Sequence, residues 1–206
     1  MIKEYWPEHV TRESWERLVD LAREIDFRLI GGWAVYLYTG LHKSRDIDIV
    51  VDLDTLSYLR EHYDLRKNLD LRKYEIREKG FDIDVYVPYF SRLVIPPEDI
   101  LRMERIVIRG IPTIPPEALL LLKLDAWRER GGSVKGGKDE IDIITLVMYT
   151  EMRWSLFFKL AKKYKRPGIE KDLARLVRGF DRLEYLSKDF QEYNKWKKEI
   201  LRNLSS

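Results

Sequence analysis

Asp46 and Asp48 stand in the stretch Arg45-Asp46-Ile47-Asp48-Ile49-Val50-Val51, where carboxylates alternate with apolar residues. Alternation at period two is strand geometry. Both acids therefore project from one face, while Ile47, Ile49 and Val51 point the other way, into a core. Two neighbouring carboxylates repel each other and are costly to bury. A divalent cation removes that cost, and Mg²⁺ takes hard oxygen ligands of this kind. Upstream, Gly31-Gly32 lets the backbone come close to a polyphosphate, and a helix opening at Trp33 would aim unpaired N–H groups at it.

These residues need a scaffold, and the pattern supplies one. A helix is expected over 11–25, capped by Thr11, with Trp15, Leu18, Val19 and Ala22 on one apolar face. A short strand over 27–30 runs into the glycine pair, and a helix over 33–38 stops at Gly40. The acid-bearing strand covers 47–52, and a helix over 54–63 is capped by Asp54. Further strands are expected over 71–78, 82–87 and 105–109, with turns at Pro96-Pro97 and Pro115-Pro116. Pro116 suits the first turn of a helix that runs to about residue 130. Residues 131–137, four of them glycine, read as a flexible loop. Helices follow over 139–149, 153–164, 168–182 and 188–203. Strands in the first half and helices in the second imply an α+β chain, a mixed sheet flanked by helices followed by a helical lobe. The expected division is 1–113 for the α/β domain and 114–206 for the lobe, with the substrate in a cleft between them.

Gly31-Gly32 followed by Asp46-x-Asp48 on a strand resembles the signature of the polymerase-β-like nucleotidyltransferase superfamily. Gly31-Gly32-Trp33-Ala34 resembles its minimal members, the antibiotic nucleotidyltransferases and the AbiEii-type toxins. The likeness covers residues 27–87 well and 116–142 loosely. It implies transfer of a nucleoside monophosphate from an NTP to a hydroxyl acceptor, using three carboxylates and two Mg²⁺ (or Mn²⁺) ions. The third carboxylate belongs on a neighbouring strand. Gly80-Phe81-Asp82-Ile83-Asp84 supplies two candidates, of which Asp84, deeper in the strand, is preferred to Asp82 as metal ligand and aid to deprotonation. Gly31 and Gly32 would cradle phosphates, and Lys43, Ser44 and Arg45 would contact them. Where toxin-like members carry Arg four residues before the first acid, this chain has His42, read as a surface-loop histidine. Lys123 on a leucine-rich helix, then Lys138-Asp139-Glu140-Ile141-Asp142, resembles the AbiEii-like arrangement. That likeness implies nucleotide contacts for Lys123 and Asp139. Without it, Lys123 reads as a snorkelling side chain and the acids as charge compensation at a helix start.

The 206 residues can build one sizeable core or two small domains. With no cysteine, disulfides, thiolate catalysis and cysteine zinc sites are excluded. No apolar run approaches the roughly 20 residues of a membrane span, and Met1-Ile2-Lys3-Glu4-Tyr5-Trp6 is no signal peptide, so a cytoplasmic location is expected. Charged residues at 35% with one glutamine suit a thermophilic source. The net charge of +3 is too small to imply nucleic-acid binding by itself. A basic stretch over 153–178 could hold the phosphates of a tRNA or an acidic protein acceptor, although a solvated helical surface is the plainer reading. The rival to an enzyme is a non-catalytic nucleotide- or partner-binding module of a toxin–antitoxin-like pair.

Overall fold

A computed structural model describes residues 3–204. The chain divides into two compact units, Trp6–Pro115 and a second made of residues 3–5 with 116–204.

The first unit is built on a seven-stranded mixed sheet. Its strands are β1 (Arg28–Ile30), β2 (Ile47–Val50), β3 (Leu65–Asn68), β4 (Lys73–Arg77), β5 (Asp82–Tyr86), β6 (Ile106–Ile108) and β7 (Ile111–Thr113). The order across the sheet is β3-β4-β5-β2-β1-β7-β6. β2 runs parallel to β5 and β1 parallel to β7, while the other pairs are antiparallel. Helices α1 (Glu8–Glu24), α2 (Gly31–Thr39), α3 (Leu53–His62) and α4 (Pro97–Arg102) complete the unit. The alternation works as the sequence demands. Leu29, Ile47, Ile49, Ile83 and Val85 are fully buried, while Asp48, Asp82 and Asp84 occupy the intervening positions and stay partly accessible.

Several details depart from expectation. α1 begins at Glu8, so Thr11 is a buried residue inside the helix and not its cap. The cap of α3 is Asp52, whose Oδ1 accepts from Thr55 N at 2.8 Å, and Asp54 lies in the first turn. The chain simply enters the helix sooner, so the earlier aspartate reaches the free amide. β3 and β7 have no counterpart in the residue pattern: Leu65-Arg66-Lys67-Asn68 has little apolar content, and β7 contains Pro112. Both acquire strand form from their partners, β3 at an edge and β7 beside β1.

The second unit is helical: α5 (Pro116–Arg130), α6 (Val134–Tyr149), α7 (Trp154–Lys163), α8 (Ile169–Gly179) and α9 (Phe190–Asn203). α5 buries Ala118, Leu119, Leu120, Leu121 and Leu124 completely, which marks it as a central helix. The glycine-rich segment is not a loop throughout. Ser133 caps α6, its Oγ accepting from Gly136 N at 3.0 Å, and Gly136 and Gly137 sit buried in the first turn. A Cβ on Gly136 would lie 2.5 Å from the Arg130 carbonyl oxygen, so this glycine serves close packing. Among the described residues no helix is long and apolar enough to cross a membrane.

Candidate functional site

Strand register brings the acids together. Asp48 on β2 is the direct partner of Asp84 on β5, and Asp84 is the partner of Glu75 on β4. On the other side Asp48 faces Ile30, the residue that leads into α2. Glu75, Asp84 and Asp48 thus form a row across neighbouring strands, about 4.8 Å per step.

Lys73, two residues before Glu75, covers part of this row. Its Nζ donates to Asp84 Oδ2 at 2.6 Å and lies 3.2 Å from Glu75 Oε1. Asn68 Nδ2 also donates to Glu75 Oε1, at 2.9 Å. Asp84 Oδ1 is buried and accepts no hydrogen bond. Burial pushes the Asp84 carboxyl up, Lys73 pulls it back, and the charges of Asp46 and Glu75 push it up again; the net direction is upward. Burial alone would lower Lys73, but its bonds to Asp84 and Glu75 raise it overall. Lys73 and Glu75 escape sequence reading because the charged face of strand 71–78, with Lys73, Glu75 and Arg77, looks like any solvated strand face. Only the pairing of β4 with β5 shows which of its charged residues meet the acids.

Asp46 lies just ahead of β2. Its carboxylate receives Arg45 Nε at 3.0 Å and Arg45 Nη2 at 3.1 Å, and it accepts from the Asp82 backbone N–H at 3.3 Å. The Arg45 guanidinium lies 5.3 Å over the Trp6 ring. Asp82, the alternative third acid, is register-paired with Arg77 rather than with the row. Among the described residues no three carboxylate or histidine side chains are gathered closely enough to hold one ion.

The glycine pair opens α2 itself, two residues earlier than Trp33. Gly31 has φ +70°, and a Cβ there would lie 2.0 Å from Asp48 Oδ2. The close approach allowed by this glycine is therefore to a carboxylate of the protein, at a helix N-terminus where negative charge is favoured. Tyr86 Oη donates to Asp48 Oδ1 at 3.4 Å. Gly32 is buried beside it. Lys43 Nζ lies 4.0 Å from Glu8 Oε1, and the Ser44 carbonyl accepts from Ser14 Oγ at 3.3 Å, so this loop is tied to α1. His42 is buried with φ 56°, not exposed on a surface loop.

The second cluster forms inside the helical unit. Lys123 Nζ donates to Asp139 Oδ1 at 3.1 Å and to Asp142 Oδ2 at 2.7 Å. Lys138 Nζ donates to Asp142 Oδ1, and Arg130 Nε to Asp139 Oδ2 at 2.7 Å. Lys123, Lys138, Asp139 and Asp142 are all buried. Lys123 does not snorkel; it bridges both acids. Burial pushes Asp142 up, but Lys123 and Lys138 bring it below the usual carboxylate range. Burial also drives the Lys138 ammonium down, beyond what Asp142 restores.

In the basic stretch, Arg153 pairs with Glu117, Arg166 with Asp125 and Arg175 with Asp172. Lys159, Lys162, Lys165, Lys171 and Arg178 remain exposed.

No protein-family profile and no curated protein matches the chain. Solved structures do. JHP933 from Helicobacter pylori is similar at 19% identity over 97% of this chain and 94% of that one, with a TM-score of 0.51. An antigenic nucleotidyltransferase-like protein from Paracoccidioides brasiliensis is similar at 20% identity, over 80% of this chain and 91% of that one, with a TM-score of 0.43. The first likeness shows a fold shared over nearly the whole of both chains. A nucleotidyltransferase-like protein stands among the structural neighbours of this mixed α+β fold.

Proposed function

We propose that the chain is a metal-dependent nucleotidyltransferase that moves a nucleoside monophosphate from an NTP to a hydroxyl acceptor. A bond forms between the acceptor oxygen and the α-phosphorus, the α–β phosphoanhydride bond breaks, pyrophosphate leaves, and the hydroxyl proton passes to a base. The observation that carries this reading is the side-by-side pair Asp48 and Asp84, with the buried Asp84 Oδ1 lacking a partner, next to the glycine-opened start of α2. That orphaned oxygen and its neighbouring carboxylate are hard donors suited to Mg²⁺ or Mn²⁺. When bound, the ion would polarise the phosphoryl oxygens and offset developing charge. Asp48 and Asp84 would hold it; Asp46, the remaining acid of the expected set, is engaged by Arg45 and is not gathered with them around one ion. The hydroxyl proton would pass to Asp84, the acid preferred for that role. Gly31 and Gly32 offer amides to phosphate, and Lys43, Ser44 and Arg45 are the polar groups leading to the acids. Lys123 and Asp139 already have partners in the helical unit, which favours a structural role for them.

A second reading has an observation of its own. Asp84 and Asp46 each already carry a cationic side chain, as they would in a non-catalytic module of a toxin–antitoxin-like pair.

The test is incubation with each α-labelled NTP and Mg²⁺ or Mn²⁺, with total tRNA, lysate protein or small hydroxyl compounds as acceptor and Asp48→Asn as control. Label transferred by the wild type and not by the control supports the enzyme and identifies its acceptor class. Metal-dependent NTP binding without transfer to any acceptor favours the module.

A further inference from the structure

We infer that Lys73 is a built-in cation of the carboxylate row, standing in for one of two metal ions, so that the site recruits a single divalent ion through Asp84 Oδ1 and Asp48. This rests on the proposed function and narrows it.

The geometry is specific. The Lys73 ammonium is sandwiched between Asp84 Oδ2 at 2.6 Å and Glu75 Oε1 at 3.2 Å, with its side chain only 12% exposed. Asn68 Nδ2 donates to the same Glu75 oxygen at 2.9 Å. Lys73 is thus held by a second acid besides Asp84, which makes it part of the frame rather than a mobile surface lysine. It uses one oxygen of Asp84 and leaves the other, buried and unpartnered, turned to different use. One carboxylate that could have bridged two ions is divided between an ammonium and a vacant donor.

Charge points the same way. On this face Glu75, Asp84, Asp48 and Asp46 are set against Lys73 and Arg45. Asp82 and its register partner Arg77 add one charge of each sign. Before nucleotide binds, the surplus is two negative charges, which one divalent ion neutralises and two would exceed.

The test is Mn²⁺ binding to the full chain, read by electron paramagnetic resonance and calorimetry, alone and with each of the four α,β-methylene NTPs. Wild type, Lys73→Met, Lys73→Arg and Asp48→Asn are compared after their fold has been checked by circular dichroism. The expected result is one isolated Mn²⁺ in wild type and in Lys73→Arg, and loss of that ion in Asp48→Asn. Lys73→Met should bind Mn²⁺ about tenfold more tightly or take up a second ion, because a competing positive charge has gone. A spin-coupled Mn²⁺ pair in wild type overturns the inference and leaves the proposed function standing. Unchanged Mn²⁺ binding in a folded Lys73→Met also overturns it. A folded wild type that binds no Mn²⁺ overturns both. Should Lys73→Met fail to fold, the wild-type ion count decides alone.

Discussion

Gly31 and Asp48 are in contact across the junction of β1, β2 and α2: a Cβ on Gly31 would stand 2.0 Å from Asp48 Oδ2. The glycine carries φ +70°, so a side chain would meet both backbone strain and a carboxylate. Gly31→Ala should destabilise the protein by at least about 2 kcal/mol and displace Asp48. Gly40 provides the control. It too has positive φ, but no atom lies within 4 Å of its Cβ position, so Gly40→Ala should cost only about 1 kcal/mol. Urea unfolding of both variants checks the ranking, and equal losses would show that the contact with Asp48 is immaterial.

Asp48→Asn should lower nucleotidyl transfer about 100-fold or more while leaving stability within about 1 kcal/mol of wild type. The substitution keeps the shape beside Tyr86 and removes a charge adjacent to Asp84. Single-turnover rates and thermal unfolding on the same preparation separate the two effects. Undiminished transfer in the variant would refute the catalytic role of the row.

In the helical unit, the two lysines on Asp142 should not be equivalent. Lys123 lies against both Asp139 and Asp142, whereas Lys138 forms its ion pair with Asp142 one turn away and is disfavoured as an ammonium by its burial. Lys123→Met should destabilise by about 3–5 kcal/mol, since it strips a shared cation from two buried acids. Lys138→Met should cost about 1 kcal/mol or less, because Lys123 and Arg130 still face the two carboxylates. Chemical denaturation of both variants measures the difference.

Glu117 predicts a pH response. Its side chain is fully buried and takes the Arg153 backbone N–H and guanidinium Nε, both at 2.9 Å. Burial pushes its carboxyl up, but these bonds win and hold it below the ordinary value. A carboxyl lower in the folded state than in the unfolded chain adds stability at pH above the unfolded value, about 4.3, and loses it as pH falls through the folded one. Glu117→Gln should therefore cost about 1–3 kcal/mol at pH 7 and flatten the decline in stability below about pH 4. Melting temperatures from pH 7 to pH 2.5 would show it; parallel curves would remove Glu117 from the acid response.

How much of this can be read from residues alone depends on the range of the interaction involved. Asp46, Asp48 and the glycine turn carry a local signature, since alternation and a φ-permissive pair are visible within twenty residues. Asp84 is legible because it repeats that alternation. Lys73 and Glu75 are not, because their meaning comes from register between strands, which no local pattern encodes. Gly136 misleads for a different reason. Glycine signals either freedom or crowding, and only the position of the Arg130 carbonyl, six residues away in sequence, decides for crowding. His42 misleads in the same way, its loop position hiding its burial.

Residues 3–5 belong to the same unit as residues 116–204, and this orders events in time. The backbone N–H of Lys3 donates to the Glu184 carbonyl at 3.0 Å, and Tyr5 Oη to the Val134 carbonyl at 2.7 Å. On a ribosome the residues Lys3 and Tyr5 emerge early and their partners late, with all seven strands made in between. The helical unit therefore closes a loop that encloses the entire sheet, an entropic step that comes last. Vectorial synthesis would finish the sheet first and then draw the leading segment back to seal the helices.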